Sequence, residues 1–135
     1  MVAALLVSQH DSMIALADAI LAGADAGDAT RLAGLRLQLA REVQRHTEAE
    51  AQFLGAAVAE GHVAADAVSA LHKRVRHWRG ALAHCNATWP GARVAADPAG
   101  FVADFAPLAA MLREGARAEE AELLAPVVRR RAAAA

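Results

Sequence analysis

Histidine and glutamate occupy positions of this chain where apolar residues are expected. Along residues 32–57, apolar side chains recur every three or four positions, which predicts one buried stripe of an α-helix. His46 and Glu50 fall on that stripe, one helical turn apart. A buried charge is unfavourable unless it is paired or coordinates a metal ion. Because imidazole and carboxylate groups are ligands for iron, manganese and zinc, these two residues are candidate metal ligands.

Three further residues extend the candidate site to other parts of the chain. His10 and Glu120 also fall on apolar stripes, and aligning His10 with His72 matches the apolar residues around them. A second alignment matches Glu50 with Glu120, so the chain is predicted to consist of two helical hairpins. Each hairpin would contribute one histidine and one inward carboxylate. Glutamates that face each other in a core repel, and cations between them would relieve that repulsion.

Each of these residues also has an ordinary structural explanation. A single histidine on an apolar face is usually a hydrogen-bonded core residue, and His46 could simply pair with Glu50 at i,i+4. Glu120 could belong to an acidic surface together with Glu119 and Glu122. Taken together, the five residues favour a shared metal site over five separate explanations.

The elements that position these residues are predicted to be helices. Hydrophobic residues make up 56% of the chain and aromatic residues only 4%, and the dominance of alanine and leucine favours helices over strands. The pattern predicts an all-α, up-down-up-down four-helix bundle in a single domain, residues 1–135, with a frayed tail at about 128–135. Helices are predicted at about 2–22 and 29–60, from 64 or 66 to about 88, and from about 98 to at least 126. A turn is predicted at 22–28, a loop at 90–96, and a break or bend at Pro107.

Composition and charge limit the class of protein. The formal net charge is −1, which argues against nucleic-acid binding. The single cysteine, Cys85, cannot form an intramolecular disulfide and fits a reducing compartment. Residues 1–7 are apolar but lack a basic leader, and polar residues follow at once, so neither a signal peptide nor a membrane span is expected. We therefore expect a cytoplasmic protein.

The order and spacing of the motifs resemble the hemerythrin-like family, also called the HHE cation-binding domain. The resemblance covers nearly the whole chain and rests on His10, a histidine in the third helix, and the segments 46–50 (HTEAE) and 120–126 (EAELLAP). It implies a non-haem di-iron site inside the bundle. By the resemblance, His10 and His46 would bind one iron, Glu50 and Glu120 would bridge the pair, and His72 and His77 would be the candidates for the second iron. Members bind or sense oxygen, handle iron, or act on nitric oxide and peroxide.

One position departs from the family pattern. The last motif of the family begins with a histidine four residues before its glutamate, and here that position is Ala116. His77 could compensate, but five residues separate it from His72, which places the two about 140° apart around a helix. The outcomes left open are a di-iron site with an open position, a single site for iron or another divalent metal, and a degenerate site. An open position would favour O2, NO or peroxide as the ligand.

Two other classes of function stay open on the sequence alone. A metal-free bundle could act as a regulator or subunit through a protein partner. This alternative stays open because Ala116 stands where the resemblance leads us to expect a metal-binding histidine. A histidine phosphotransfer bundle would need an exposed histidine, which residues 77–80 (HWRG) match only loosely, and it leaves His46 and Glu50 unexplained. The sequence has no nucleophile–base pair, so no catalytic residue is assigned. Peroxide or nitric oxide chemistry at the metal is the only enzymatic alternative.

Overall fold

Four long helical rods make up the part of the chain that the computed structural model describes, residues 2–135. No strand occurs among these residues, and the predicted all-α bundle is confirmed. The elements are α1 (Val2–Ala26), α2 (Ala29–Ala59), α3 (Ala65–Thr88), the short α4 (Gly91–Ala96), α5 (Pro98–Glu119) and α6 (Ala125–Ala134). A π-helical turn, Glu120–Leu124, joins α5 to α6 without a break, so these three elements form the fourth rod.

The first reversal of the chain is tighter than the sequence pattern predicts. α1 continues to Ala26, and only Gly27 adopts a left-handed backbone conformation, with φ at 70°. Asp28 then caps α2, because its side chain accepts a hydrogen bond from the Arg31 amide at 3.1 Å. The predicted turn at 22–28 is therefore confined to its last two residues.

The segment predicted as a loop at 90–96 is instead the short helix α4, so this prediction is wrong. Pro90 takes the extended conformation that precedes a helix, and Val94 is buried. Arg93 stacks over the Trp89 ring at 4.1 Å and donates to the Thr88 carbonyl. These contacts fasten α4 to the end of α3. Pro107 lies inside α5 and does not end it.

The C-terminal segment also differs from the sequence-based expectation. Residues 128–135, for which a frayed tail was predicted, continue as α6 to Ala134. Arg130 donates to the His62 carbonyl at 2.6 Å, and Arg131 pairs with Glu60 at 2.9 Å. Arg131 also lies over the Phe53 ring at 4.7 Å. These contacts attach α6 to the end of α2.

The buried polar residues lie between two apolar layers of the core. One layer includes Met13 and Val43 and extends towards α4, and the other includes Leu6 and Phe53 and extends towards α6. Along α1, His10 falls between Leu6 and Met13, and along α2 both His46 and Glu50 fall between Val43 and Phe53. The two layers therefore enclose the polar residues from both ends of the bundle.

One described helix, α1, has the length and apolar composition of a membrane span. The core helix of a soluble protein passes the same test. In this structure Leu6, Met13 and Ile20 of α1 are buried against the rest of the bundle.

Gly100 is the glycine whose replacement should most disturb the packing. A Cβ atom there would meet the Trp89 ring at 2.6 Å and the Asp97 carboxylate that caps α5. We expect Gly100→Ala to lower the free energy of unfolding by about 1–3 kcal/mol. The control is Gly80→Ala, since a Cβ at this helical position would meet nothing within 4 Å. It should raise stability by about 0.5–1 kcal/mol. Urea unfolding measures both, and equal effects would contradict the expectation.

Candidate metal centre

Four buried polar side chains meet where α1, α2 and α5 face one another: His10, His46, Glu50 and Glu119. Each offers one ligand atom, and these atoms all lie within 4.8 Å of one another. Nε2 of His46 is 2.9 Å from a Glu50 oxygen, and Nε2 of His10 is 3.0 Å from a Glu119 oxygen. No residue of the four is more than 6% exposed. The donor atoms therefore converge on one buried point.

The outer nitrogen of each imidazole is held by an oxygen acceptor. His46 Nδ1 lies 2.9 Å from the Gln9 side-chain oxygen, and His10 Nδ1 lies 2.7 Å from a Glu120 oxygen. Each Nδ1 is therefore held from outside the cluster, and each Nε2 faces the cluster. Histidines that bind metals commonly have their other ring nitrogen fixed in this way, because the bond sets the orientation of the ring.

Glu120, predicted as a bridging ligand, lies beside the cluster and is not one of its four members. Besides His10, its carboxylate contacts the Arg117 guanidinium at 3.0 Å through both oxygens. Arg117 in turn pairs with Asp11 at 2.7 Å. Glu120 thus orients the His10 ring, and Glu119 supplies the inward carboxylate.

The register of the fourth rod explains why the neighbouring glutamate points inward. In α5 the buried residue that follows Ala116 is Glu119, three positions later. The stripe predicted from the sequence instead placed the next buried residue four positions later, at Glu120. The π-helical turn begins directly afterwards, and Pro126 follows it. Because Pro126 has no N–H to bond the Glu122 carbonyl, the regular hydrogen-bond ladder is interrupted there.

The third helix contributes no member to the cluster. The residues of α3 that face the site are Leu71, Arg74, Val75 and Trp78. His72 is half-buried and His77 is exposed, and neither belongs to the cluster. Successive residues of a helix are rotated by about 100° about its axis. Residues 71, 75 and 78 therefore share one face, and His72 and His77 lie on other faces of α3. The structure therefore does not bring these two predicted ligands to the site.

The contacts inside the cluster require a proton or a cation between them. Two carboxylates and two imidazole nitrogens face one another, and lone pairs at such distances repel unless something positive separates them. Oε2 of Glu119 is buried with no hydrogen-bond partner, since its approach to His10 lacks hydrogen-bond alignment. An orphaned buried carboxylate oxygen beside three further donors fits a metal ion.

The two carboxyl groups of the cluster have opposite shifts in pKa. Burial, reinforced by the hydrogen bond and negative charge of Glu50, raises the pKa of Glu119 to about 10. Burial also acts to raise the pKa of Glu50, but hydrogen bonds from His46 and Glu119 outweigh it and lower that pKa. In the metal-free protein at neutral pH, Glu119 therefore carries a proton while Glu50 is ionised.

With Glu119 as the inward glutamate, the histidine position expected from the resemblance falls one residue earlier in the chain. The residue four positions before Glu119 is Gly115, whereas counting from Glu120 gave Ala116. Gly115 and Ala116 both line a cavity beside the cluster. A Cβ atom at Gly115 would meet nothing within 4 Å, so there is room for a side chain at this position.

Sequence reasoning missed three functional residues. Gln9 orients His46, Arg117 holds Glu120, and Glu119 enters the cluster. Helical periodicity gives no signal for Gln9 or Arg117, because both lie off the buried stripes. For Glu119, the signal available was its position next to Glu120 and shortly before Pro126.

Comparison with known proteins gave one match. The family model described as hemerythrin HHE cation binding domain matches residues 1–127. This range contains all four members of the cluster and the residues that orient them. The comparisons with curated proteins and with solved structures gave no match.

Proposed function

This chain belongs to the hemerythrin HHE cation-binding domain family, and on that premise we propose that it binds a single iron ion. The proposed ligands are His10, His46, Glu50 and Glu119. The observation that carries the proposal is the convergence of four buried ligand atoms within 4.8 Å of one another. Imidazole and carboxylate ligands suit iron, manganese and zinc, and membership of the family favours iron among them.

Charge and ligand number favour one ion over the two that the resemblance implied. Two ionised glutamates balance the charge of one divalent cation, which reduces the cost of burying it. A second ion would need further ligands, and the face of α3 that meets the site offers three apolar side chains and Arg74 instead. The single-metal alternative from the sequence is therefore the one proposed.

The side chains of this protein would position the ion and leave it accessible. Gln9 and Glu120 fix the two imidazoles, and the apolar residues of α3 face the site. When bound, the iron would supply redox chemistry and open coordination positions for O2, NO or peroxide. We propose that the protein binds or senses such a small ligand, and that it does so in the cytoplasm. The site offers no nucleophile with a paired base, so no catalytic residue is proposed.

Metal analysis of the purified protein tests this function. After anaerobic reconstitution with ferrous iron and desalting, we expect about one iron ion per chain. His46→Ala should lose the iron, whereas the double variant His72→Ala, His77→Ala should keep it. Two ions per chain would contradict the single site. No bound metal would contradict the proposal and favour the metal-free bundle with a protein partner.

Restoring a histidine at position 115 should strengthen metal binding. Gly115 lies one turn before Glu119 on the same helix face, and its Cβ position is open. An additional ligand contributing about 1.4 kcal/mol would raise the affinity for iron about tenfold in Gly115→His. Competition with a chelator of known affinity measures the change.

Two variants serve as controls for Gly115→His. Gly115→Ala reports the effect of helix propensity without a ligand. Ala116→His places the imidazole at a buried position, where overpacking is expected to destabilise the helix without improving affinity. Stronger binding by Ala116→His than by Gly115→His would show that the register assigned to α5 is wrong.

A further inference from the structure

A cavity of about 250 Å³ opens beside the candidate metal centre. Its walls are mainly apolar and include Met13, Val43, Val75, Trp78 and Leu112. One water molecule occupies about 30 Å³ in the liquid, and an apolar cavity of about 150 Å³ holds benzene. The cavity is therefore much larger than a diatomic gas requires, and it suits an apolar group of benzene size or larger.

Residues of α3 and α5 border this space. The face of α3 towards the site carries no histidine, and on α5 the residues facing the site include Gly115 and Ala116. A Cβ atom at Gly115 would still meet nothing within 4 Å. The volume therefore lies directly against the cluster, and His10, His46, Glu50 and Glu119 all line it.

Two opposite charges line the cavity at its exposed side. Arg74 on α3 and Glu114 on α5 are both exposed and both line the cavity. The nearby Arg113 and Arg117 pair with aspartates of α1. By contrast, within residues 2–135 neither Arg74 nor Glu114 has an ion-pair partner. One unpaired cation and one unpaired anion that line the same cavity complement a zwitterion better than a singly charged molecule.

We propose that this cavity binds a free α-amino acid with an apolar side chain, such as phenylalanine or leucine. Its carboxylate pairs with Arg74, whose planar guanidinium matches a carboxylate, and its ammonium group pairs with Glu114. Its side chain enters the apolar cavity and ends against the metal centre. The inference rests on the proposed function in that the bound side chain would lie next to the four proposed iron ligands.

Calorimetric titration of the iron-loaded protein with L-phenylalanine tests the inference. The comparison ligands are 3-phenylpropionate, which lacks the ammonium group, and 2-phenylethylamine, which lacks the carboxylate. Both should bind at least about tenfold more weakly than L-phenylalanine. Equal or tighter binding of 3-phenylpropionate or 2-phenylethylamine, or no binding of L-phenylalanine, would overturn the inference.

Variants of the two charged residues separate the contributions of the two ends of the ligand. Arg74→Gln and Glu114→Gln should each weaken L-phenylalanine binding at least about tenfold. Arg74→Gln should leave 2-phenylethylamine unaffected, and Glu114→Gln should leave 3-phenylpropionate unaffected or bound more tightly. Arg79→Gln, an exposed residue of α3 that does not line the cavity, is the matched control and should bind like the parent. Equal losses in all three variants would overturn the assignment.

Filling the cavity provides an independent test. Gly115→Leu should abolish L-phenylalanine binding, whereas Gly115→Ala should retain it, and circular dichroism checks that both remain helical. Iron content is measured on every sample and the titration is repeated on metal-free protein. A protein that lacks iron but binds L-phenylalanine would refute only the metal site. A protein that holds iron but does not bind the amino acid would refute only this inference.

Discussion

Replacing Glu119 with alanine is expected to abolish iron binding, whereas replacing Glu120 with alanine should lower the affinity only about 10–100-fold. Glu119 offers a ligand atom to the cluster, and its side chain is 4% exposed. Glu120 acts through the His10 ring, to which its oxygen lies 2.7 Å from Nδ1. Anaerobic titration with ferrous iron against a competing chelator measures both affinities.

Conservative variants separate the removal of a ligand from the loss of ring orientation. Glu120→Gln keeps an oxygen that can accept the His10 Nδ1–H, so it should recover most of the affinity lost in Glu120→Ala. Glu119→Gln keeps the shape but not the charge, and it should remain defective. Glu48→Ala, an exposed position on α2, is the control for a change in net charge. Retention of iron by Glu119→Ala together with its loss in Glu120→Ala would restore the role that the sequence motif gave to Glu120.

The residues placed correctly from the sequence lie in regular, uninterrupted helices. His10, His46 and Glu50 were predicted to face the core because the apolar residues around them recur with the helical period. The structure confirms that they are buried, at 3%, 6% and 2% exposure. A stripe in a continuous α-helix keeps its phase over several turns, so its neighbours suffice to locate a residue on the buried face.

The choice between Glu119 and Glu120 could not be made from the period alone. Both residues are glutamates, and the apolar residues before them fit a step of three or of four. The π-helical turn at Glu120–Leu124 then changes the phase, so the apolar residues beyond it do not report on the register before it. Three-dimensional contacts decide: one carboxylate meets Arg117 at the surface and the other meets Glu50 in the core.

The histidines of the third helix show that an internal repeat predicts which residues face the site less well than an apolar stripe does. The alignment of His72 with His10 assumed that equivalent positions in the two hairpins face the same centre. In the structure, the inward face of α3 is set by Leu71, Val75 and Trp78, and Trp78 is fixed by a hydrogen bond to the Leu108 carbonyl at 3.0 Å. The two hairpins therefore share a pattern without sharing a site, and the region that α3 leaves unfilled becomes a cavity.

The metal-free protein is expected to lose stability as the pH rises above neutral. Glu119 has its pKa raised from the ordinary 4.5 to about 10 by burial and by the Glu50 carboxylate. Between these pH values the folded state therefore binds a proton that the unfolded state has released, and the free energy of unfolding falls with rising pH. One such group lowers it by at most about 1.4 kcal/mol per pH unit, hence by up to about 2 kcal/mol between about pH 7.5 and 9. Urea unfolding at several pH values in this window measures the slope.

The sign of this dependence identifies the group responsible. Glu50 has a lowered pKa, so its contribution is lost as the solution becomes acidic and leaves the alkaline window unaffected. Glu119→Gln cannot ionise, and its stability should stay nearly constant over the same range. A slope unchanged in Glu119→Gln would assign the effect to another group, and a flat profile in the parent would mean that Glu119 is already ionised.

An ion held by both carboxylates would take the place of the proton on Glu119, so iron uptake near pH 7.5 should release about one proton per ion. The proton on Glu119 and a cation bound by the cluster would thus compete for the same buried oxygen atoms.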